Sequence, residues 1–125
     1  IEIFSNPHFP LMNTRILTGA TIRLEDDPEQ QHKLLDAGFK YVWGQPQGGI
    51  DTGDEAQFKA AFGSEGFDAD RLWELGTADE TKAMLRANTE EAVTRGTFGA
   101  PTFFVGDEMF FGHDRLDYAE EALLA

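Results

Sequence analysis

The chain contains no cysteine, so neither a disulfide nor a thiolate nucleophile can come from these residues. The same absence fits a reducing compartment, and the cytoplasm is the expected location. Basic residues are scarce: 10 Lys and Arg stand against 23 Asp and Glu, for a net charge of −13. Binding a phosphate backbone requires the opposite sign, so nucleic acid is excluded as a partner, and an anionic membrane surface with it. No apolar run approaches the roughly 18 residues that a membrane-spanning helix needs. His8 and His32 lack metal-ligand spacing, so no metal site is expected. Gly-rich phosphate loops, nucleophile elbows and His-containing triads are likewise missing, as are repeats and low-complexity tracts. The chain opens on Ile1-Glu2 without Met or a signal-like start, which predicts a trimmed or partial chain.

What is present is apolar enough to fold. In 125 residues the hydrophobic fraction is 41%, with eleven Phe, which suits a globular chain with a real core. The acidic excess reads as a solvated surface or as adaptation to a saline host.

Helices dominate the first three quarters. Residues 1–13 hold a short extended piece (Ile1, Ile3, Phe4) and a loop punctuated by Pro7 and Pro10. Asn13 or Thr14 can cap a helix to about Glu25, with Ile16, Leu17, Ala20 and Leu24 on one stripe. Asp27-Pro28 starts a second, ending at Gly44, with Leu35, Phe39 and Val42 or Trp43 as its apolar face. Thr52-Gly-Asp-Glu55 has capping-box spacing ahead of a helix that carries Phe58 and Phe62 and stops at Gly63. Asp68, flanked by Phe67 and Leu72 at staple spacing, opens a fourth to Gly76, and Thr77 or Asp79 opens a fifth to Arg95.

Gly96 then has the position of a left-handed helix stop. Pro101 opens a strand, Thr102 to Val105 and Glu108 to Phe111 pair, and Gly106-Asp107 makes a Gly-first, type II′ loop. Asp114 has N-cap chemistry for a last helix. Both strands carry large apolar residues on both faces, which suits a strand covered on both sides. A two-stranded sheet is marginal alone, so a further pairing segment is expected outside this sequence. Locally the hairpin reads either as core or as one wall of a small anionic-ligand site.

The run Gly-x-Phe-Gly-Ala-Pro-Thr-Phe-Phe-Val from Gly96, followed by Phe-Phe-Gly-x-Asp-Arg-Leu to Leu116, resembles the C-terminal signature of 2-hydroxychromene-2-carboxylate isomerases. Leu85-Arg-Ala-Asn-Thr-Glu-Glu-Ala92 resembles the helix before that signature, and Pro7-His-Phe-Pro-Leu-Met-Asn-Thr14 the segment leading into a helical insertion. These enzymes are relatives of kappa-class glutathione transferases and of DsbA-like oxidoreductases. The resemblance implies an α+β to α/β, thioredoxin-like fold, mostly helical with a C-terminal hairpin and helix, lacking the first βαβ unit. Residues 1–95 would be the helical insertion and 96–125 the end of the thioredoxin-like domain. It implies glutathione as cofactor and a small aromatic acid as substrate. The thiolate would be held by a serine from the missing first strand–helix turn, so no catalytic residue is assigned in this chain, and Ser5 and Ser64 match no motif.

For glutathione the resemblance implies Ala100, Pro101, Phe111, Gly112, His113 and Asp114. Ala100 would pair with the cysteinyl backbone across a cis Ala100–Pro101 bond; the alternative is a trans proline that merely starts a strand. Backbone N–H groups at Gly112-His113-Asp114 suit the ligand carboxylate, with Asp114 taking an ammonium, acting as N-cap, or both. His113 is expected exposed and not catalytic. Phe9, Asn13 and Thr14 would form a substrate-pocket wall, the alternative being core and cap roles. A DsbA-like thiol–disulfide oxidoreductase is the alternative enzyme. The non-catalytic alternative is a fragment that acts by associating with another chain through its open sheet edge. The partners expected are a second copy of the chain or the missing N-terminal segment.

Overall fold

The computed structural model describes residues 2–125. Among them it has six α-helices, α1 (Arg15–Ile22), α2 (Pro28–Trp43), α3 (Glu55–Ser64), α4 (Ala69–Thr77), α5 (Asp79–Thr94) and α6 (Leu116–Leu124). Two strands, β1 (Thr102–Val105) and β2 (Glu108–Phe111), and a 3-10 turn (His113–Arg115) stand between α5 and α6. Two compact units divide within α5: one runs through Leu85, the other is Arg86–Ala125. Of the N-terminal extended piece, Ile1 lies outside the described residues. Ile3 and Phe4 form no strand; the Phe4 N–H donates to Trp43 O at 2.7 Å.

Helix starts in the first unit follow local chemistry. Asp27, Asp54 and Asp68 accept from Gln30 N, Gln57 N and Arg71 N, each side chain satisfying an N–H that has no intrahelical partner. Asp54 thus does the capping expected of Thr52. The Thr52 side chain, only 1% exposed, instead bonds Asn13 O at 2.7 Å and ties the loop before α3 to the start of α1. The first helix is shorter than its apolar stripe suggested, closing at Ile22 with turns through Asp27. Thr14 caps it through its backbone alone.

Burial explains which stripe of α2 wins. Leu34, Ala37, Gly38 and Val42 face inward, whereas Leu35 and Phe39, expected inside, are exposed. Leu34 joins Ile16, Ala20, Phe58, Phe62 and Leu72 in the core, with Trp73 packed against it. The Phe58 ring stands 4.5 Å from Phe62 and 5.3 Å from Trp73 between centroids. Trp43 pairs with exposed Phe9 at 6.2 Å. Buried Asn6 sews loops together: its Nδ2 donates to Val42 O and Ile50 O while its Oδ1 accepts from His8 N.

Helices α1 and α4 meet through glycine. A Cβ on Gly76 would run into Ile16 O and lie 2.8 Å from Ile16 Cγ2, and one on Gly19 would lie 2.7 Å from Thr81 Cγ2. Alanine is favoured over glycine in an open helix by about 1 kcal/mol. At this crossing the close approach wins, so Gly76→Ala is expected to destabilise the protein by about 1–3 kcal/mol in urea denaturation. A stabilised variant would show that the helices do not meet this way.

At the rim, Lys40 Nζ bonds Glu65 Oε1 at 2.5 Å and Tyr41 OH adds a bond at 3.0 Å. The Lys40 hydrogen bond, then that from Tyr41, hold the Glu65 carboxyl below its ordinary pKa. A carboxyl lowered in the fold stabilises above its unfolded pKa, and that contribution is lost as pH falls through the folded value. In Lys40→Met the Glu65 titration midpoint, followed by NMR, is expected to move up. The stability difference from the parent should then vanish at acid pH.

Candidate functional site

The second unit brings two segments of the sequence motif side by side. Gly96, at φ +94°, closes α5: its N–H donates to Val93 O and the Thr97 N–H to Ala92 O, the paired bonds of a left-handed helix stop. The chain then runs through Phe98-Gly99-Ala100-Pro101 into β1, with Thr102 Oγ1 donating back to Gly99 O at 2.6 Å. The Ala100–Pro101 bond is cis, as is Phe9–Pro10.

β1 and β2 are antiparallel, pairing Thr102 with Phe111, Phe103 with Phe110, Phe104 with Met109 and Val105 with Glu108. Gly106 has φ +59° and Asp107 is not left-handed, as a Gly-first II′ turn requires. Arg95 steadies the tip, donating to Gly106 O at 2.6 Å with its guanidinium 3.8 Å from the Phe104 ring centroid.

This register decides the site, because it places Gly112 opposite Pro101. The Gly112 N–H donates to Pro101 O at 2.9 Å, so residues eleven apart in sequence become neighbours. That bond corrects one expectation: the Gly112 N–H is committed internally and not open to a ligand carboxylate. The His113 and Asp114 N–H groups make no backbone hydrogen bond among the described residues, nor do the N–H and C=O of exposed Ala100.

Asp114 is not the N-cap of the last helix. It sits inside the 3-10 turn, Arg115 precedes α6, and neither start has a side-chain cap bond. The short turn uses the residues that an α-helical first turn would have taken, which leaves the carboxylate unspent. Gly112 makes room for it. At φ +99° and ψ 150° the backbone is in a region essentially confined to glycine, and a Cβ there would lie 2.5 Å from Asp114 Oδ1.

A depression of about 510 Å³ is lined by Met109, Phe110, Phe111, Asp114 and Arg115. Arg115 was not among the expected site residues; its signal was its place beside Asp114 in the Asp-Arg-Leu run. Its guanidinium lies 5.7 Å from the Tyr118 ring and has no carboxylate at ion-pair distance among the described residues. Among the described residues, Asp114 and Arg115 thus stand without an ionic partner in a depression shared with Met109, Phe110 and Phe111. His113 is exposed, as expected.

Phe9, Asn13 and Thr14 belong to the first unit. Asn13 Oδ1 accepts from Arg15 N, and Phe9 is exposed instead of forming part of the core. Thr14 lines an apolar cleft of about 220 Å³ between α1 and α2, together with Leu17, Leu35, Phe39 and Trp43. The exposed stripe of α2 is thus the wall of that cleft.

Residues 10–124 match the DSBA-like thioredoxin domain. The 2-hydroxychromene-2-carboxylate isomerase of Sphingobium xenophagum is 35% identical over 96 residues, covering 77% of this chain and 48% of the relative. Glutathione s-transferase kappa 2 of Caenorhabditis elegans is 37% identical over 62 residues, 45% of this chain and 28% of the relative. A solved 2-hydroxychromene-2-carboxylate isomerase superposes with a TM-score of 0.74 at 24% identity, covering 98% of this chain and 57% of that one. The chain spans about half the length of the curated isomerase it matches. With the match running from Pro10 to the end of α6, the chain belongs to the DSBA-like thioredoxin domain family.

Proposed function

We propose that this chain is the ligand-positioning part of a glutathione-dependent isomerase acting on aromatic acids of the 2-hydroxychromene-2-carboxylate type, in the cytoplasm. The observation that carries the reading is the Gly112–Pro101 bond, which sets Asp114, Arg115 and the free backbone of Ala100 around one edge of the hairpin. The name of the kappa transferase relative supports glutathione as the ligand, and the name of the isomerase relative supports the reaction.

The residues fit that ligand chemically. A γ-glutamyl group carries an ammonium and a carboxylate on one carbon. Asp114 would accept from the ammonium, while Arg115 and the free N–H groups of His113 and Asp114 would donate to the carboxylate. Ala100 would hydrogen-bond the cysteinyl backbone in the manner of an added strand. Phe111, pinned opposite Thr102, would supply apolar contact alongside. When bound, glutathione supplies a thiolate that adds reversibly to the conjugated substrate, so that a former double bond can rotate before the thiolate leaves. Stabilising that thiolate takes a hydrogen-bond donor, a role that this reading assigns to a serine hydroxyl outside these 125 residues. Ser64 is spent within the first unit on Ala61 O and Tyr41 OH. Thr14 and its apolar cleft, with Phe9 and Asn13 at its approach in sequence, would take part of the substrate.

Calorimetry on the full-length protein tests this. Glutathione is expected to bind, and Asp114→Ala to weaken it roughly tenfold or more, as expected for loss of a charge-assisted hydrogen bond. Unchanged affinity would remove Asp114 from the site. Gly112→Ala should weaken binding similarly by displacing that carboxylate, and should also cost about 1–3 kcal/mol of stability from its backbone conformation. Turnover of 2-hydroxychromene-2-carboxylate is expected of the full-length protein and not of the 125 residues alone.

A further inference from the structure

We propose that Phe98 determines substrate specificity, its open ring face stacking on the aromatic ring of the substrate beside Ala100. The inference rests on the glutathione-dependent reading above and names a residue that the reading does not use.

Phe98 is 71% exposed, yet it is positioned on two sides. Its ring stands 4.6 Å from that of Phe111 at 44°, a tilted aromatic contact. The helix stop at Gly96 and Thr97 fixes the backbone just before it. Gly99 completes the arrangement, since a Cβ there would lie 2.8 Å from Phe111 Cε2, and its absence lets the Phe111 ring rest against the main chain. The result is an aromatic wall held next to Ala100, whose N–H and C=O are free among the described residues. A thiol ligand aligned along Ala100 would carry its reacting sulfur past this wall. A flat, fused-ring acid joined to that sulfur can bury a face on Phe98, whereas an alkyl group of the same reach offers less surface to stack. Phe98 has no polar atom, so it selects for the ring and not for the carboxylate.

The test compares S-benzylglutathione with S-methylglutathione by calorimetry on the full-length protein and its variants. The parent is expected to prefer the benzyl ligand, and Phe98→Ala to reduce that preference by about 3- to 10-fold while glutathione affinity holds. Phe98→Tyr should retain the preference, and Phe98→Leu should lose part of it. An unchanged preference in Phe98→Ala overturns the proposal. If the preference is unchanged and the melting temperature falls by several degrees, the ring covers protein instead of ligand, which also overturns it. A parent protein that binds none of the three ligands overturns the glutathione reading itself. Glutathione binding without a benzyl preference overturns only the role of Phe98.

Discussion

The approach of α1 to α4 is the constraint on which the first unit depends. With hydrogen in place of a side chain at Gly76, the Ile16 carbonyl can lie against the opposing helix. Gly19 admits Thr81 from α5 in the same way, and the buried Thr81 hydroxyl finds an acceptor in Leu75 O. Interiors packed to crystal-like density tolerate no spare methyl at such a crossing. Holding α1 there presents Ile16 and Ala20 to Phe58 and Phe62, and it leaves Leu17 and Thr14 to form the apolar cleft with α2. The apolar cleft thus depends on two missing side chains, one on α1 and one on α4.

The second unit is governed by register. One hydrogen bond beyond the last cross-strand pair, Gly112 to Pro101, turns two separate stretches of sequence into a single edge. A slip of one residue along the hairpin would exchange the faces of every phenylalanine. The II′ turn at Gly106 and the Arg95 guanidinium at its tip both oppose such a slip.

Much of this was legible wherever one residue's own backbone chemistry decides the outcome. Asp27, Asp68, Gly44, Gly96 and Gly106 mark helix or turn boundaries because each has a local reason to be there. The fold family was legible for a similar reason, through the run from Gly96 to Leu116. Positions whose roles depend on a distant partner were not. Leu34 and Leu35 are adjacent and equally apolar, and only the location of Phe58 and Phe62 decides which turns inward. Thr52 has the spacing of a cap, but a buried carbonyl at Asn13 claims its hydroxyl. Asp114 reads as a cap until the 3-10 turn releases it, and Arg115 gains interest only once the depression beside it is visible. Asn6 looks like an ordinary loop residue, and its role as a clip emerges from acceptors more than thirty positions away.

The placement of the indoles has a spectroscopic consequence. Trp43 and Trp73 both lie in the first unit, on α2 and α4, while the second contains phenylalanines and Tyr118. Emission excited at the red edge of the protein band therefore reports on the helical unit alone. Events at the hairpin have to be followed through its tyrosine, through backbone circular dichroism, or through an indole placed there by substitution.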